Sequence, residues 1–415
     1  MAASYLYYYQ DCTTVKIIVC HNYYREPGGE DQCVPMEIAL LRKHGHEVIE
    51  FAVRSSDLDD SVHARLTLGR RLLLSPTVIR RTIDLVRKEQ PDVVHVHNVF
   101  PLLTPSLYIG LARAGVPVVQ TVHNYRFICP NGLFYSEGHV CRLCAGKNFS
   151  HAIRHRCLHG SLAQTVAYAA SLQLHWLLGT FPGKLGLLAA LSPFVAEQLA
   201  QRIGSRERIR VLPNFIDTTP FTPQSEGREY VLFMGRLSAE KGVWQLLRAV
   251  QDLPDIPVKI MGGGPEEDGL REAIEMRGLE HVELLGYLGG DARFDVLKRA
   301  ICLVVPSQSH ETFGRVVLEA YAMGVPVIAS RMGGLQDLVH HGETGFLFEA
   351  GDTAGLAACI REMVDAPGRA VQMGLAGRRL AEACYSPEAH YQQLMALYRE
   401  VCQPEVYVWA PGLSR

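Results

Sequence analysis

Short apolar, β-branched runs recur along the whole chain, each followed by a stretch with helical character. In the first half they read Val15–Asn22, Glu47–Val53, Asp92–Asn98, Pro117–Asn124, Leu187–Ser192 and Ile209–Leu212. In the second half they read Tyr230–Gly235, Val258–Gly262, Val282–Gly286, Cys302–Ser307 and Pro326–Ser330. Such runs are apolar throughout instead of alternating, which suits strands covered on both faces, so the pattern predicts βαβ units, parallel sheets and the α/β class. With 415 residues the chain exceeds what one hydrophobic core usually serves, and two domains are expected. The break falls in PNFIDTTPFTPQSEGRE, residues 213–229, where prolines and polar residues interrupt all periodicity. The expected organisation is a first domain over 1–212, a linker over 213–228, a second domain over 229–385, and a last helix (Pro387–Cys402) with a tail over 386–415. In open α/β sheets ligands bind beyond the carboxyl ends of the strands, so functional residues are sought in the loops that follow them.

Composition removes several classes. Hydrophobic residues at 48% and charged residues at 20% exclude a disordered chain. No run of eighteen apolar residues occurs, and MAASYLYYYQDCTT lacks the basic and apolar regions of a secretory signal, so a cytoplasmic location is expected. The net charge of -2 hides an asymmetry, with 23 Lys+Arg against 16 Asp+Glu over residues 1–215 and 18 against 27 over residues 216–415. An anionic acceptor or membrane surface fits the basic half, and an incidental difference in surface charge fits it equally. Residues 65–88, RLTLGRRLLLSPTVIRRTIDLVRK, read as a basic amphipathic surface helix, either a solvated face or a peripheral contact with anionic lipid. Nucleic acid is not among the expected partners, and the oligomeric state is open.

Three loops carry residues suited to an anionic ligand. The first strand leads into HNYYREPGGEDQC, where Gly28 and Gly29 precede a helix; paired glycines admit an anion to backbone amides, and a tight turn is the plainer alternative. Neither a GxGxxG fingerprint nor a Walker GxxxxGK[ST] sequence is present, which removes support for dinucleotide-dependent dehydrogenase and P-loop chemistry. FMGRLSAEKG, residues 233–242, places Arg236 and Lys241 around a strand-to-helix loop, able to clamp a diphosphate as a planar fork and a point charge. SHETFGRVVLEAYAMGVPVIAS, residues 309–330, follows a buried strand with Glu311 in the loop, Gly314 allowing close approach, and a helix from about Arg315 that carries Glu319. Carboxylates accept paired hydroxyls, so sugar and ribose diols are natural partners, while the helix N-terminus favours phosphates between them.

GRLSAEKG, the GGGP turn at Gly262–Pro265, ETFGRVVLE with its Glu-x7-Glu spacing, and GVPVIAS…GG…GETGFLF together resemble the retaining GT-B glycosyltransferases of family 4 over roughly residues 15 to 385. The resemblance implies two Rossmann-like domains facing each other across a cleft, with the nucleotide-sugar donor mainly on the second. It implies that Arg236 and Lys241 hold the diphosphate, Glu319 the ribose and Glu311 the donor sugar, with Gly263 and the amides near Phe313, Gly314 and Arg315 assisting. Gly28 and Gly29 match the family's glycine loop, and His123 in QTVHNYR matches a histidine beside the transferred sugar; His97 in HVHNVFP is a weaker candidate. The last helix would cross back to the first domain. The expected reaction is transfer from a nucleotide sugar, UDP-linked, to a hydroxyl of a glycan, lipid-linked or small-molecule acceptor, with retention and no catalytic metal or other cofactor. A GT-B phosphorylase or a nucleotide-sugar epimerase is the alternative.

One segment departs from the family pattern. CPNGLFYSEGHVCRLCAGKNFSHAIRHRC, residues 129–157, sets Cys129, Cys141, Cys144 and Cys157 at C-x11-C-x2-C-x12-C. Four thiolates so placed would make a closed structural zinc site, with His139, His151, His155 and His159 as alternative ligands. Reduced cysteines, or disulfide and redox chemistry, are the other readings.

Overall fold

Pairing begins with β1 (Lys16–Tyr23) and β2 (Glu47–Arg54), which run parallel in unbroken register from Lys16 beside Glu47 to Tyr23 beside Arg54. The computed structural model describes residues 14–26, 28–57, 62–146, 148–181, 183–224 and 226–403. The expected leaderless start and the tail beyond Gln403 lie outside them, as do Lys147 in the cysteine segment and Ser225 in the expected linker. On its other edge β1 pairs with β3 (Val93–Val96), which pairs with β4 (Val118–Val122). The hairpin of β5 (Tyr135–Ser136) and β6 (His139–Val140) stands apart as an antiparallel pair. With β7 (Leu187–Ala190) and β8 (Ile209–Val211) the first sheet has the order β2-β1-β3-β4-β7-β8.

The second sheet comprises β9 (Tyr230–Met234), β10 (Val258–Met261), β11 (Val282–Gly286), β12 (Ala300–Val305), β13 (Val327–Ser330) and β14 (Gly345–Phe348), in the order β11-β10-β9-β12-β13-β14. Each strand in it pairs in parallel with its neighbours. The central strands are buried on both faces: Val231, Leu232, Leu303 and Ile328 have no exposed surface. Both sheets are therefore of the doubly wound, Rossmann-like kind, with one change of direction beside β1 and another beside β9.

By packing, the chain forms two units. The first gathers the residues up to His123, Val166–Ala189 and the chain from Leu394; the second gathers Asn124–Thr165 and Ala190–Gln393. The described residues of 213–229 carry no helix or strand before β9, yet they are tied down inside the second unit. Ile216 N–H donates to Tyr385 O at 2.9 Å, and the Arg228 guanidinium donates to Gly324 O at 2.6 Å.

Two local readings change. Residues 65–88 do not form one helix: Val62–Leu73 and Pro76–Glu89 are separate, because Ser75 caps the second through Val78 N–H at 3.4 Å and Pro76 occupies its first turn. The second of these helices buries Ile79, Thr82 and Val86 while Arg80, Arg81 and Arg87 stay exposed. Its Thr82 Cβ would lie 2.8 Å from any side chain at Gly110, so the facing helix, Ser106–Ala114, approaches through a glycine. The strand β14 is not among the sequence expectations, being only four residues long and opening on a glycine. Gly345 has φ +159°, and a Cβ there would stand 1.8 Å from Val327 O, so the pairing with β13 requires glycine.

Candidate functional site

In the second unit the chain reverses its order of strand addition between β9 and β12, and the loops leaving these two strands carry the predicted charged residues. The loop after β9 holds Arg236, exposed, and Lys241, at the end of a single 3-10 turn, Ala239–Lys241. The loop after β12 holds Ser307 and Glu311. Gly242 follows Lys241 at φ +73°, where a Cβ would lie 1.8 Å from Pro306 O, and Gln308 N–H donates to Glu240 O at 2.8 Å. The two loops thus meet backbone to backbone, and the left-handed glycine is what permits it.

The consequence is a partly buried ion pair. Lys241 Nζ donates to Glu311 Oε1 at 2.7 Å, and Ser307 Oγ donates to the same oxygen at 2.7 Å. Burial works against ionised Glu311, but the Lys241 charge, its hydrogen bond and that of Ser307 outweigh it and hold the carboxyl below its ordinary range. Burial likewise opposes the Lys241 ammonium; Glu311 and Glu240 overcome it, and the Lys241 pKa lies above its usual value, with Arg236 acting in the opposite sense. Behind the pair, Gly333 has φ +57° with its Cβ position 2.3 Å from Glu311 O, and Gly334 N–H donates to that oxygen at 2.7 Å. The Glu311 backbone is therefore clamped.

Gly314, at φ +99°, starts the helix Arg315–Ala322. The Phe313 side chain is buried and meets Tyr385 edge-on at 5.9 Å, so only its backbone is free to serve a ligand. One turn in, Glu319 is 3% exposed and faces two guanidiniums, Arg293 at 3.3 Å and Arg315 at 3.7 Å. Burial raises the Glu319 pKa and the two arginines oppose the rise. Arg293 is a site residue that the sequence did not disclose: it belongs to an unremarkable short helix, Ala292–Leu297, and its Nε is buried without a hydrogen-bond partner. The loop after β10 brings Gly262 to within 1.8 Å (as a Cβ) of Gly235 O, and Gly263 O accepts from Leu237 N–H at 2.9 Å, so the GGGP turn abuts the Arg236 loop.

Tyr125 was also missed, having no motif. Its ring stacks on Phe134 with centroids 4.4 Å apart, its buried hydroxyl has no hydrogen-bond partner, and it senses the charge of Glu311. His310 precedes Glu311, lies against Phe194 at 4.7 Å and is pushed down to about 4 by burial, with a smaller effect of Arg142. Cys129, Cys141, Cys144 and Cys157, all free thiols, line one small cavity of this unit.

The remaining candidates belong to the first unit. Gly28 caps the helix Gly29–Lys43 with φ −100°, and its N–H donates to Asp31 Oδ2 at 2.8 Å; nothing crowds Gly29. Asp31 also contacts His21 Nε2 at 2.9 Å. His97 and His123, at the ends of adjacent strands, are joined by His97 Nδ1 and His123 Nε2 at 2.9 Å. Glu37, 5% exposed, sets Oε1 3.2 Å from His97 Nε2 and 3.0 Å from His95 Nδ1. A carboxylate at that distance favours a proton on His97 Nε2, which leaves Nδ1 to accept from His123 Nε2–H. Burial pushes His97 down to about 4, helped by His95 and opposed by Glu37, and burial likewise holds His123 well below its ordinary value. Both rings are thus neutral at pH 7. Among the described residues Glu37, His95 and His97 are spaced as a metal-ligand trio would be, but His95 is already held by Tyr398 and Thr121, each at 2.8 Å.

The structure therefore gathers Arg236, Lys241, Gly263, Glu311, Gly314, Arg315 and Glu319 in one unit, and Gly28, Gly29, His97 and His123 in the other. The family model described as Glycosyl transferases group 1 matches residues 216–380, and that described as Glycosyltransferase Family 4 matches residues 37–220. Glycogen synthase of Mycobacterium tuberculosis is 30% identical over 327 residues, covering 76% of this chain and 69% of that protein. Sucrose-phosphate synthase from Thermosynechococcus elongatus is similar in structure with TM-score 0.70 at 20% identity, over 93% of this chain and 99% of that one. Anabaena Alr3699/HepE in complex with UDP-glucose matches with TM-score 0.65 at 20% identity, over 93% of this chain and 100% of that one.

Proposed function

The chain belongs to the family 4 glycosyltransferases with the GT-B fold, and from that premise we propose that it transfers a sugar from a UDP-linked donor to a hydroxyl of a glycan acceptor, retaining the anomeric configuration. The observation that carries the donor assignment is the Lys241–Glu311–Ser307 cluster at the point where the second sheet reverses its strand order. A carboxylate fixed on one oxygen by a lysine and a serine keeps acceptor capacity for sugar hydroxyls. Arg236 and Lys241 supply positive charge for the diphosphate, at the place where negative charge grows as the bond to the anomeric carbon breaks. Glu319, fixed by Arg293 and Arg315, accepts the ribose hydroxyls. That Anabaena Alr3699/HepE is seen with UDP-glucose supports the choice of base and donor class.

In this reading the acceptor oxygen bonds to the anomeric carbon on the face from which the phosphate oxygen leaves, and the acceptor's proton passes to that phosphate. His123, neutral and oriented by His97, hydrogen-bonds the transferred sugar. Lys241, Arg236 and the Gly314 helix start stabilise the leaving group, so no divalent ion is needed there. A groove that sets Arg80, Arg87 and Arg113, against one acidic residue, Asp84, beside Leu74, Ile79 and Ile83 fits a peripheral contact with an anionic, lipid-linked acceptor.

A panel of nucleotide sugars tests the proposal, scored by thermal stabilisation and by slow release of free nucleotide in buffer without divalent cations. Stabilisation by one UDP-sugar, with release abolished in Glu311→Ala, is the expected result. Failure of every nucleotide sugar to bind would overturn the donor site.

A further inference from the structure

The segment from Asn124 to Thr165 packs with the second unit but adds no strand to its sheet. Among its described residues up to Cys157, regular structure is limited to the two-residue strands β5 and β6 and the five-residue helix Ser150–Arg154. So few ladder and helix hydrogen bonds leave the stretch in need of another tether. Its four cysteines come to one place: Cys129 and Cys144 are buried, Cys141 and Cys157 half-buried, and all four line a single small cavity with His151 and His155.

The backbone around them turns tightly. Cys129 Sγ donates to Asn131 Oδ1 at 2.9 Å, and Ser136 Oγ lies 3.5 Å from Cys157 Sγ. Burial raises the pKa of both Cys129 and Cys144, the latter to about 12, so each is a thiol in the absence of an ion. Gly132, at φ +76° with its N–H on Cys129 O at 2.9 Å, closes a tight turn directly after Cys129. A turn closed by Ala145 N–H on Arg142 O at 3.0 Å carries Cys141 and Cys144 on one short bend, and Cys157 N–H on Ala152 O at 3.1 Å returns the fourth cysteine. His155 is engaged by Glu137 at 2.9 Å and His151 is exposed, so the imidazoles border the set instead of completing it.

We propose that Cys129, Cys141, Cys144 and Cys157 form a closed, tetrahedral site for a structural zinc ion. A Zn–S bond of about 2.3 Å places tetrahedral sulfurs roughly 3.8 Å apart. Among the described residues no three of these sulfurs all lie within 4.8 Å of one another, so binding requires the thiols to draw inward. Each of four thiols releases its proton as it ligates, and no position stays open for a substrate.

The ion would hold a flap beside the donor loops. The same segment carries Tyr125, whose unpartnered hydroxyl senses Glu311, and Tyr135, which senses Glu240 and Glu266. It is fastened to the helix Pro193–Ile203 by Arg142, which hydrogen-bonds Gln198 and, at 3.3 Å, Gln201. That helix in turn offers Phe194 N–H to Asp337 at 3.0 Å. This consequence for donor binding rests on the donor site described under the proposed function; the metal assignment does not.

The test is elemental analysis of the purified full chain, with zinc release followed colorimetrically as a mercurial titrates the thiols. About one zinc per chain is expected, released in step with four thiols, falling below about 0.1 in Cys144→Ser and unchanged in Cys384→Ser, whose cysteine is exposed. If Cys144→Ser fails to fold, Cys144→His, which can still ligate, should retain the ion. Protein free of zinc whose four thiols titrate independently, or a peptide map showing disulfides among them, would overturn the site. Zinc present but removable without change in UDP-sugar affinity would overturn the flap's role, whereas zinc-loaded protein that binds no nucleotide sugar would overturn only the donor reading.

Discussion

Replacing Lys241 by methionine isolates the ion pair on which the donor site is built. The substitution keeps length and apolar stem but removes the ammonium 2.7 Å from Glu311 Oε1, leaving a carboxylate whose side chain is 15% exposed. Stripping one partner from a fully buried pair costs about 3–5 kcal/mol; the Lys241 side chain is 36% exposed, and solvent screening reduces the expected loss to roughly 1–2 kcal/mol. That corresponds to a melting temperature lower by about 3–6 °C for a unit of this size. In the native protein Lys241 holds the Glu311 carboxyl below its ordinary 4.5, so the pair's contribution is present above that pH and is lost as the pH falls through the lower folded value. Without Lys241, burial governs and lifts the carboxyl above 4.5, so the deficit of the variant should be greatest at neutral pH and shrink in mild acid. The double variant Lys241→Met with Glu311→Gln removes the uncompensated charge; it should recover at least half of the lost stability while releasing no nucleotide from a UDP-sugar. Melting curves across pH 4–8 on the three proteins decide the matter. A double variant no more stable than Lys241→Met, or a deficit that grows in acid, would refute the reasoning.

Glu319→Ala should weaken UDP binding by roughly 1.5–3 kcal/mol, about 10- to 150-fold in Kd by calorimetry; unchanged affinity would count against the ribose assignment. Gly242→Ala combines a left-handed φ with a Cβ 1.8 Å from Pro306 O and should cost roughly 2–4 kcal/mol, whereas Gly278→Ala, at φ +61° in open space, should cost only about 1. Equal losses in the two would show that the loop contact is not the constraint. His97, His175 and His310 are held down to about 4 by burial, so the unfolded chain takes up protons that the native state refuses, and stability should decline as pH drops from 6.5 toward 4. In imidazole NMR His97 should stay neutral across pH 5.5–8 with its proton on Nε2, and Glu37→Gln should weaken that tautomer; titration of the native ring near 6.5 would contradict the assignment.

Sheet order aside, eleven of the strands were legible: the central ones because parallel strands covered on both faces are apolar along their length, and the half-exposed edge strands β2 and β11 through their β-branched and apolar residues. β14 was not, since four residues opening on glycine carry too little pattern, and only the contact of Gly345 with Val327 O explains the glycine. The division of 65–88 into two helices was present in the sequence as Ser75–Pro76, an N-cap followed by proline, and was outweighed by the continuous basic and apolar periodicity. Arg236, Lys241, Glu311 and Glu319 stood out because charged residues after buried strands, at recurring spacing, resemble the family's motifs. Arg293, Tyr125 and Glu37 carry no such signal.

What the sequence determined by itself is the class and the chemistry on offer: two parallel-sheet Rossmann-like domains, and loops bearing cations, carboxylates and glycines after their strands. Those follow from local rules, because hydrophobic period and turn residues act over a few positions. Tertiary structure alone decided which of those groups meet. Lys241 and Glu311 are 70 residues apart in sequence, and Glu37 and His97 are 60 apart; only the strand order that sets β9 beside β12, and β1 beside β3, closes those distances to 2.7 and 3.2 Å. The same order sets the ionisation of Lys241, Glu311 and His97, because a pKa depends on burial and on charges a few ångströms away, neither of which is a property of neighbours along the chain.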